Sequence, residues 1–288
     1  MRSLILPMLL ILSGISAPAV AQPVAARSVP ANPDRLGGYA DIADLVLASP
    51  MIVRATITRA QAPLPRPAGT VAAGRVRLAV TASITNLLAA PQASGATLAW
   101  LWDAPADATG KPPKAKGMDI LAFVAAPGAG GGTRLVSNRA VQPFDPALAD
   151  LVRAILAEQR SGKVPVITGV SNGFRADGTI AGESESQFFL TSADGKPATL
   201  VVHNRPGEKR RVAVARGDII DESAEAVRPG SLLWYRLACF LPATLPVAAG
   251  GDDPALARDW RDALASLGPC GRTGQKLDNS TPTARQSG

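Results

Sequence analysis

The chain has 288 residues, 47% of them hydrophobic, and carries 30 lysines and arginines against 23 aspartates and glutamates, a formal net charge of +7. A packed core is therefore available, in one large domain or two modest ones. One histidine and two cysteines exclude most catalytic zinc arrangements.

Met1-Arg2-Ser3, an apolar run over residues 4–12 broken only by Pro7, and Ala19-Val20-Ala21 follow the charged, apolar, small-residue order of a secretory signal peptide. Residues 1–21 are read as that peptide, with cleavage expected between Ala21 and Gln22. The apolar run falls short of the roughly 20 residues a membrane span needs. No cysteine follows the cleavage position, as a lipid anchor would require. The expectation is an exported, periplasmic protein. No later run reaches transmembrane length, and the best candidate, 232–241, contains Arg236. Residues 22–38, rich in Ala, Pro and Val, read as a flexible leader.

Ile42, Leu45 and Val46 recur at helical spacing over 41–48, and Ser49-Pro50 stops that helix. Over 51–59, Val53, Ala55 and Ile57 alternate with Arg54, Thr56 and Thr58, the period of a half-buried strand. Residues 61–74, with Pro63, Pro65, Pro67 and Gly69, read as a loop. Over 75–85 the alternation of Val76, Leu78, Val80, Ala82 and Ile84 with polar residues predicts a strand wetted on one face. Leu98, Trp100 and Trp102 share one side of a strand over 97–103. An exposed loop over 104–117 leads to a buried strand over 118–125. A glycine-rich turn over 127–132 and extended chain over 133–136 follow. Residues 39–142 are thus expected to form a short helix and about five strands, an antiparallel barrel or sandwich.

Asp145 can cap, and Pro146 open, a helix to Arg160, with Gly162 at its exit and Leu148, Leu151, Val152, Ile155 and Leu156 as its apolar stripe. Residues 143–163 are read as a linking helix. A second antiparallel β region spans 164–270, with strands over 186–192, 198–205 and 211–220 joined by turns at Asp194-Gly195 and Arg205-Pro206-Gly207. Residues 232–241 suit a strand or a helix. Residues 253–267 read as a helix with Leu256, Trp260, Leu264 and Leu267 on one face. The tail, 271–288, has almost no apolar content and is expected to be disordered. The class is mainly β, with a few helices (α+β).

Cys239 and Cys270 are an even pair. In an oxidising compartment they are read as a disulfide tying the terminal helix to 232–241. Two free catalytic thiols would need a base beside them. His203, in Leu200-Val201-Val202-His203-Asn204-Arg205, is the one imidazole available as a general base; its plain reading is a solvent-facing strand histidine. Gly182-Glu183-Ser184-Glu185-Ser186 departs from a GxSxG nucleophile elbow at its last position and leads into a strand rather than a helix. Ser184 and Glu185 are therefore weak catalytic candidates, and Glu183 and Glu185 could equally be charges on a solvated strand edge. Asp218, Asp221 and Glu222 could contribute oxygen ligands to Ca²⁺ but lack the glycine-spaced EF-hand loop. Lys209, Arg210 and Arg211, with Arg205 and Arg216, form the densest basic patch. Trp234-Tyr235 is read as core packing, with a groove for a partner as the alternative. The glycines at 128–132 lack the lysine of a phosphate-binding loop, and no cofactor motif is present.

Tyr39–Ile57, Gly182–Leu190 and Leu232–Cys239 resemble blocks of a family of exported bacterial proteins with no assigned function. The resemblance implies export and carries no known activity, so it contributes no catalytic residues. The short helix followed by a strand is similar to OB-like modules, a fold-level likeness that supplies no function. The expected protein is a non-enzymatic binding or structural envelope protein. Its partner would be another envelope protein or an anionic envelope component, and not nucleic acid. A periplasmic hydrolase using His203 or the Ser184/Glu185 region is the alternative.

Overall fold

The computed structural model describes residue 34 and residues 36–63, 70–91, 95–126, 132–216 and 224–274. The expected signal peptide, the leader up to residue 33, most of the 127–132 turn, Asp218, Asp221, Glu222 and residues 275–288 lie outside the described residues.

Helix α1 (Tyr39–Ala48) stops at Ser49, whose hydroxyl donates back to the Leu45 carbonyl at 2.6 Å. Five antiparallel strands follow: β1 (Met51–Gln61), β2 (Arg75–Ala89), β3 (Thr97–Pro105), β4 (Asp119–Val124) and β5 (Val141–Pro143), in the order β3-β2-β1-β4-β5. Register shifts between β1 and β2 bend this pair, and the sheet curls into a half-barrel. Its inner face carries the alternating residues that the sequence marks: Val53, Ala55, Ile57, Leu78, Val80, Leu98, Trp100 and Trp102 form one core cluster with Ile120 and Ala122. The other face presents Ile52, Leu121 and Phe123 to a second, larger core.

Residues 133–136 run as extended chain beside the end of β4 but are not a full strand. Only Leu135 bridges to Val124, and a turn closed by Ala140 N–H to Ser137 C=O (3.2 Å) then separates this segment from β5. The fifth strand is β5 instead.

Helix α2 (Pro146–Arg160) is capped as its sequence predicts, Asp145 Oδ1 accepting from the Ala147 N–H at 2.7 Å and the Leu148 N–H at 3.3 Å. The second sheet is also fully antiparallel: β6 (Ile167–Asp177), β7 (Ser184–Ser192), β8 (Thr199–Asn204), β9 (Arg211–Ala215) and β10 (Ala224–Ala226), in the order β10-β9-β8-β7-β6. Only β7, β8 and β9 are marked in the sequence. β6 buries little beyond Ile167 and shifts register twice, so no clean period of two is visible in it. β10 is only three residues long.

The ambiguous segment is helix α3 (Leu232–Phe240), opened by Ser231, whose hydroxyl accepts from the Trp234 N–H. Helix α4 (Pro254–Leu267) follows, capped by Asp253. Cys239 and Cys270 form the expected disulfide, joining the end of α3 to the chain after α4. Phe123, Ile155, Phe188, Leu200, Tyr235 and Trp260 belong to one core shared by both sheets and the helices. No helix among the described residues is long and apolar enough to cross a membrane.

Two buried carboxylates of α1 hold the chain beyond the disulfide. Asp44 accepts from the Tyr235 hydroxyl (2.5 Å) and from Arg272 Nε (2.6 Å). Asp41 accepts from the Thr273 hydroxyl (2.5 Å), the Thr273, Gly274 and Gly37 backbone N–H groups, and Arg139. Burial opposes the charge on Asp41, but these donors outweigh it and hold its pKa far below the usual carboxylate range. For Tyr235, burial and then the hydrogen bond to Asp44 push the phenol pKa upward.

Candidate functional site

The hairpin joining β8 to β9 carries the basic patch, and strand alternation divides that patch between two faces. On the inner face, helix α4 lies over the sheet with Trp260 edge-on to Phe188, ring centroids 5.1 Å apart. This packing sets Asp259, one residue before Trp260, above the start of β7. Its Oδ2 accepts from the Ser186 hydroxyl and from Arg175 Nη1, both at 2.6 Å, and its Oδ1 from Asn204 Nδ2 at 3.3 Å. Asn204 Nδ2 also donates to the Ser184 hydroxyl at 3.0 Å. Arg210 reaches the same cluster, donating to Asn204 Oδ1 and pairing with Asp262 and Asp259. Asp259 is 2% exposed and has its acceptor positions filled, so it is a structural anchor rather than a free base.

The outer face differs. Direct pairing places Glu185, His203 and Arg211 in one row across β7, β8 and β9. His203 Nδ1 stands 3.3 Å from Glu185 Oε2, and Gln187 Nε2 donates to Glu185 Oε1 at 2.6 Å. His203, Arg205, Glu208, Lys209 and Arg211 line an open groove of about 380 Å³ with a floor of small residues, Ala213, Ala224 and Ala226. Arg205 pairs with Glu183 at the rim, at 3.1 Å. Lys209 and Arg211 have no carboxylate partner among the described residues.

The candidate residues therefore separate. Ser184 is buried on the inner face, while Glu185 and His203 share the outer one, so the sheet stands between the serine and the imidazole. Glu183 and Glu185 do not protect an edge: β7 is an interior strand, Glu183 pairs with Arg205, and Glu185 has the His203 imidazole beside it. Lys209 and Arg211 face one groove and Arg210 the other side. The possible Ca²⁺ ligands Asp218, Asp221 and Glu222 lie outside the described residues. Among the described residues no group of three or more His, Cys, Asp or Glu could hold a metal ion. Tyr235 is fully buried, and Trp234 donates its indole N–H to the Leu267 carbonyl at 2.7 Å, so this pair packs the core.

Asp259, Arg175 and Asn204 are absent from the sequence reading because they are distant along the chain. One signal was available: Asp259 sits three residues after Leu256 and beside Trp260, an acid on the edge of an apolar stripe. Compared with protein families, curated proteins and solved structures, the chain matches none.

Proposed function

We propose that this protein is a non-enzymatic, exported binding protein that holds an anionic component of the bacterial envelope at the outer face of the β8–β9 hairpin. The observation that carries the reading is the groove of His203, Arg205, Glu208, Lys209 and Arg211, in which Lys209 and Arg211 form no salt bridge among the described residues and cations outnumber the one carboxylate. Arg210, by contrast, is consumed in the Asp259 and Asp262 network. Unpaired, solvated cations around a concave surface attract phosphate or carboxylate groups. The Cys239–Cys270 disulfide supports an oxidising, extracytoplasmic location.

The test is binding to vesicles containing phosphatidylglycerol, compared with zwitterionic vesicles and with soluble polyphosphate. At about 1 kcal/mol per basic residue near an anionic surface, Lys209→Ala with Arg211→Ala is expected to weaken binding roughly 30-fold, and raised salt to weaken it further. Equal binding to zwitterionic vesicles, or binding unchanged in the double variant, overturns the reading. Preference for polyphosphate over vesicles makes the anion a soluble polymer rather than a lipid surface.

A further inference from the structure

Among the described residues β3 ends the half-barrel with no strand on its outer side, and this edge is separate from the basic groove. The β2–β3 ladder runs from Arg75 opposite Pro105 to Ser83 opposite Thr97 without a register shift. It is flanked by the bonds Ala106 N–H to Gly74 C=O (2.8 Å) and Ile84 N–H to Ala96 C=O (2.9 Å). In an antiparallel pair hydrogen-bonded and non-bonded positions alternate. The two flanking bonds therefore assign the bonded positions to Leu98, Trp100, Trp102 and Ala104. The backbone groups of Thr97, Ala99, Leu101 and Asp103 point away from β2. Of these, the Asp103 carbonyl is taken by Arg75 Nη1 at 2.7 Å.

Sheet edges are normally blunted against pairing, and the other three are. β5 and β10 are three residues long, and β5 ends in Pro143. β6 is broken by two register shifts and has the Ala249 carbonyl packed close to Gly173. β3 has no charge, proline or bulge from Thr97 to Trp102, and Leu101 is 46% exposed.

Beside the Leu101–Asp103 end of this edge is a slot of about 630 Å³. One wall is Arg77, Leu101, Trp102 and Asp103, and the other is the segment 133–138. That second wall is tied to the end of β4 through Ala125 N–H to Arg134 C=O (2.8 Å) and Val136 N–H to Phe123 C=O (3.2 Å). Among the described residues neither the buried Trp102 indole N–H nor that of Trp100 has an acceptor, and of the two only Trp102 lines the slot. Arg134, exposed on the opposite wall, has no carboxylate partner among the described residues.

We propose that the β3 edge and this slot bind an extended segment of a partner polypeptide by strand addition. The segment's backbone pairs with Thr97, Ala99 and Leu101, an acceptor on it satisfies Trp102, and an acidic group meets Arg134. Where the slot flanks Leu101, the segment 133–138 across it suits one strand better than the edge of a second copy's sheet, which brings further strands behind it.

The experiment selects binders to the full chain from a fully randomised library of short linear peptides. The leading peptide is then titrated against wild type, Ala99→Pro and Leu101→Lys. Proline at 99 removes an outward N–H and leaves the β2 ladder intact, as edge strands tolerate. Lysine at 101 changes only an exposed side chain and covers the case in which the proline variant misfolds. Affinity is expected to fall at least tenfold in each folded variant. The amides of Thr97, Ala99 and Leu101 should exchange rapidly in the free protein and slowly with peptide bound. No enriched peptide, or binding indifferent to Leu101→Lys, overturns the proposal. So does protection of these amides without peptide: independent of concentration it means that the chain covers its own edge, and rising with concentration it means that a second copy does.

Discussion

Asp259 organises one end of the second sheet because α4 places a single carboxylate where Ser186, Arg175 and Asn204 can all donate to it. Asp259→Ala leaves those donors facing a buried void. A loss of about 3 kcal/mol is expected in urea unfolding, the low end for breaking a buried pair, because Arg175 is partly solvated. Asp41 sets the acid limit. Its folded pKa lies below the unfolded carboxylate value near 4. Its contribution is therefore complete above that value and is lost as pH falls from there toward the depressed folded pKa. Melting temperature measured against pH should drop steeply on this acid side, and Asp41→Asn should flatten that slope while lowering stability at neutral pH.

The elements follow local rules, with exceptions where backbones approach closely. α2 and α4 carry their own caps and prolines, so their starts can be read directly. β6 cannot, because its shape answers to a neighbour. A Cβ at Gly173 would stand 2.8 Å from the Ala249 carbonyl oxygen and 3.2 Å from the Phe188 ring. Gly173→Ala is therefore expected to destabilise the fold by about 1–3 kcal/mol, the range for overpacking, measured by thermal unfolding. The β8–β9 hairpin shows the same dependence for charge. Lys209, Arg210 and Arg211 are consecutive, yet only the tertiary fold decides that Arg210 is neutralised while its neighbours have no carboxylate partner among the described residues.

At the scale of the whole molecule, the chain after α4 is held twice over: covalently at Cys239–Cys270, and by Asp41 and Asp44 gripping Arg272, Thr273 and Gly274. The bridge spans a sequence separation of 31. Replacing both cysteines by serine should cost roughly 3–4 kcal/mol in the chain-entropy model. That corresponds to a fall in Tm of roughly 7–14 °C. The variant should still fold, since the carboxylate grip does not depend on the sulfurs. A scan of the oxidised protein with and without reductant checks this.

The alternation in β1, β2, β3, β7 and β8, the capped helices α2 and α4 and the cysteine pair were legible because each rests on neighbours within a turn or a strand, or on compartment chemistry. Residues 232–241 were not, since an all-apolar run has no period until packing assigns its faces, and packing made it a helix. The sequence alone determined the class, mainly antiparallel β, and the wealth of cations at the β8–β9 turn. Only the tertiary structure decided which cations lack a carboxylate among the described residues, which acid anchors the cluster and which strands end each sheet. Those depend on groups between 55 and 84 residues from Asp259 along the chain, and on which strand ends a sheet. Local periodicity carries neither kind of information.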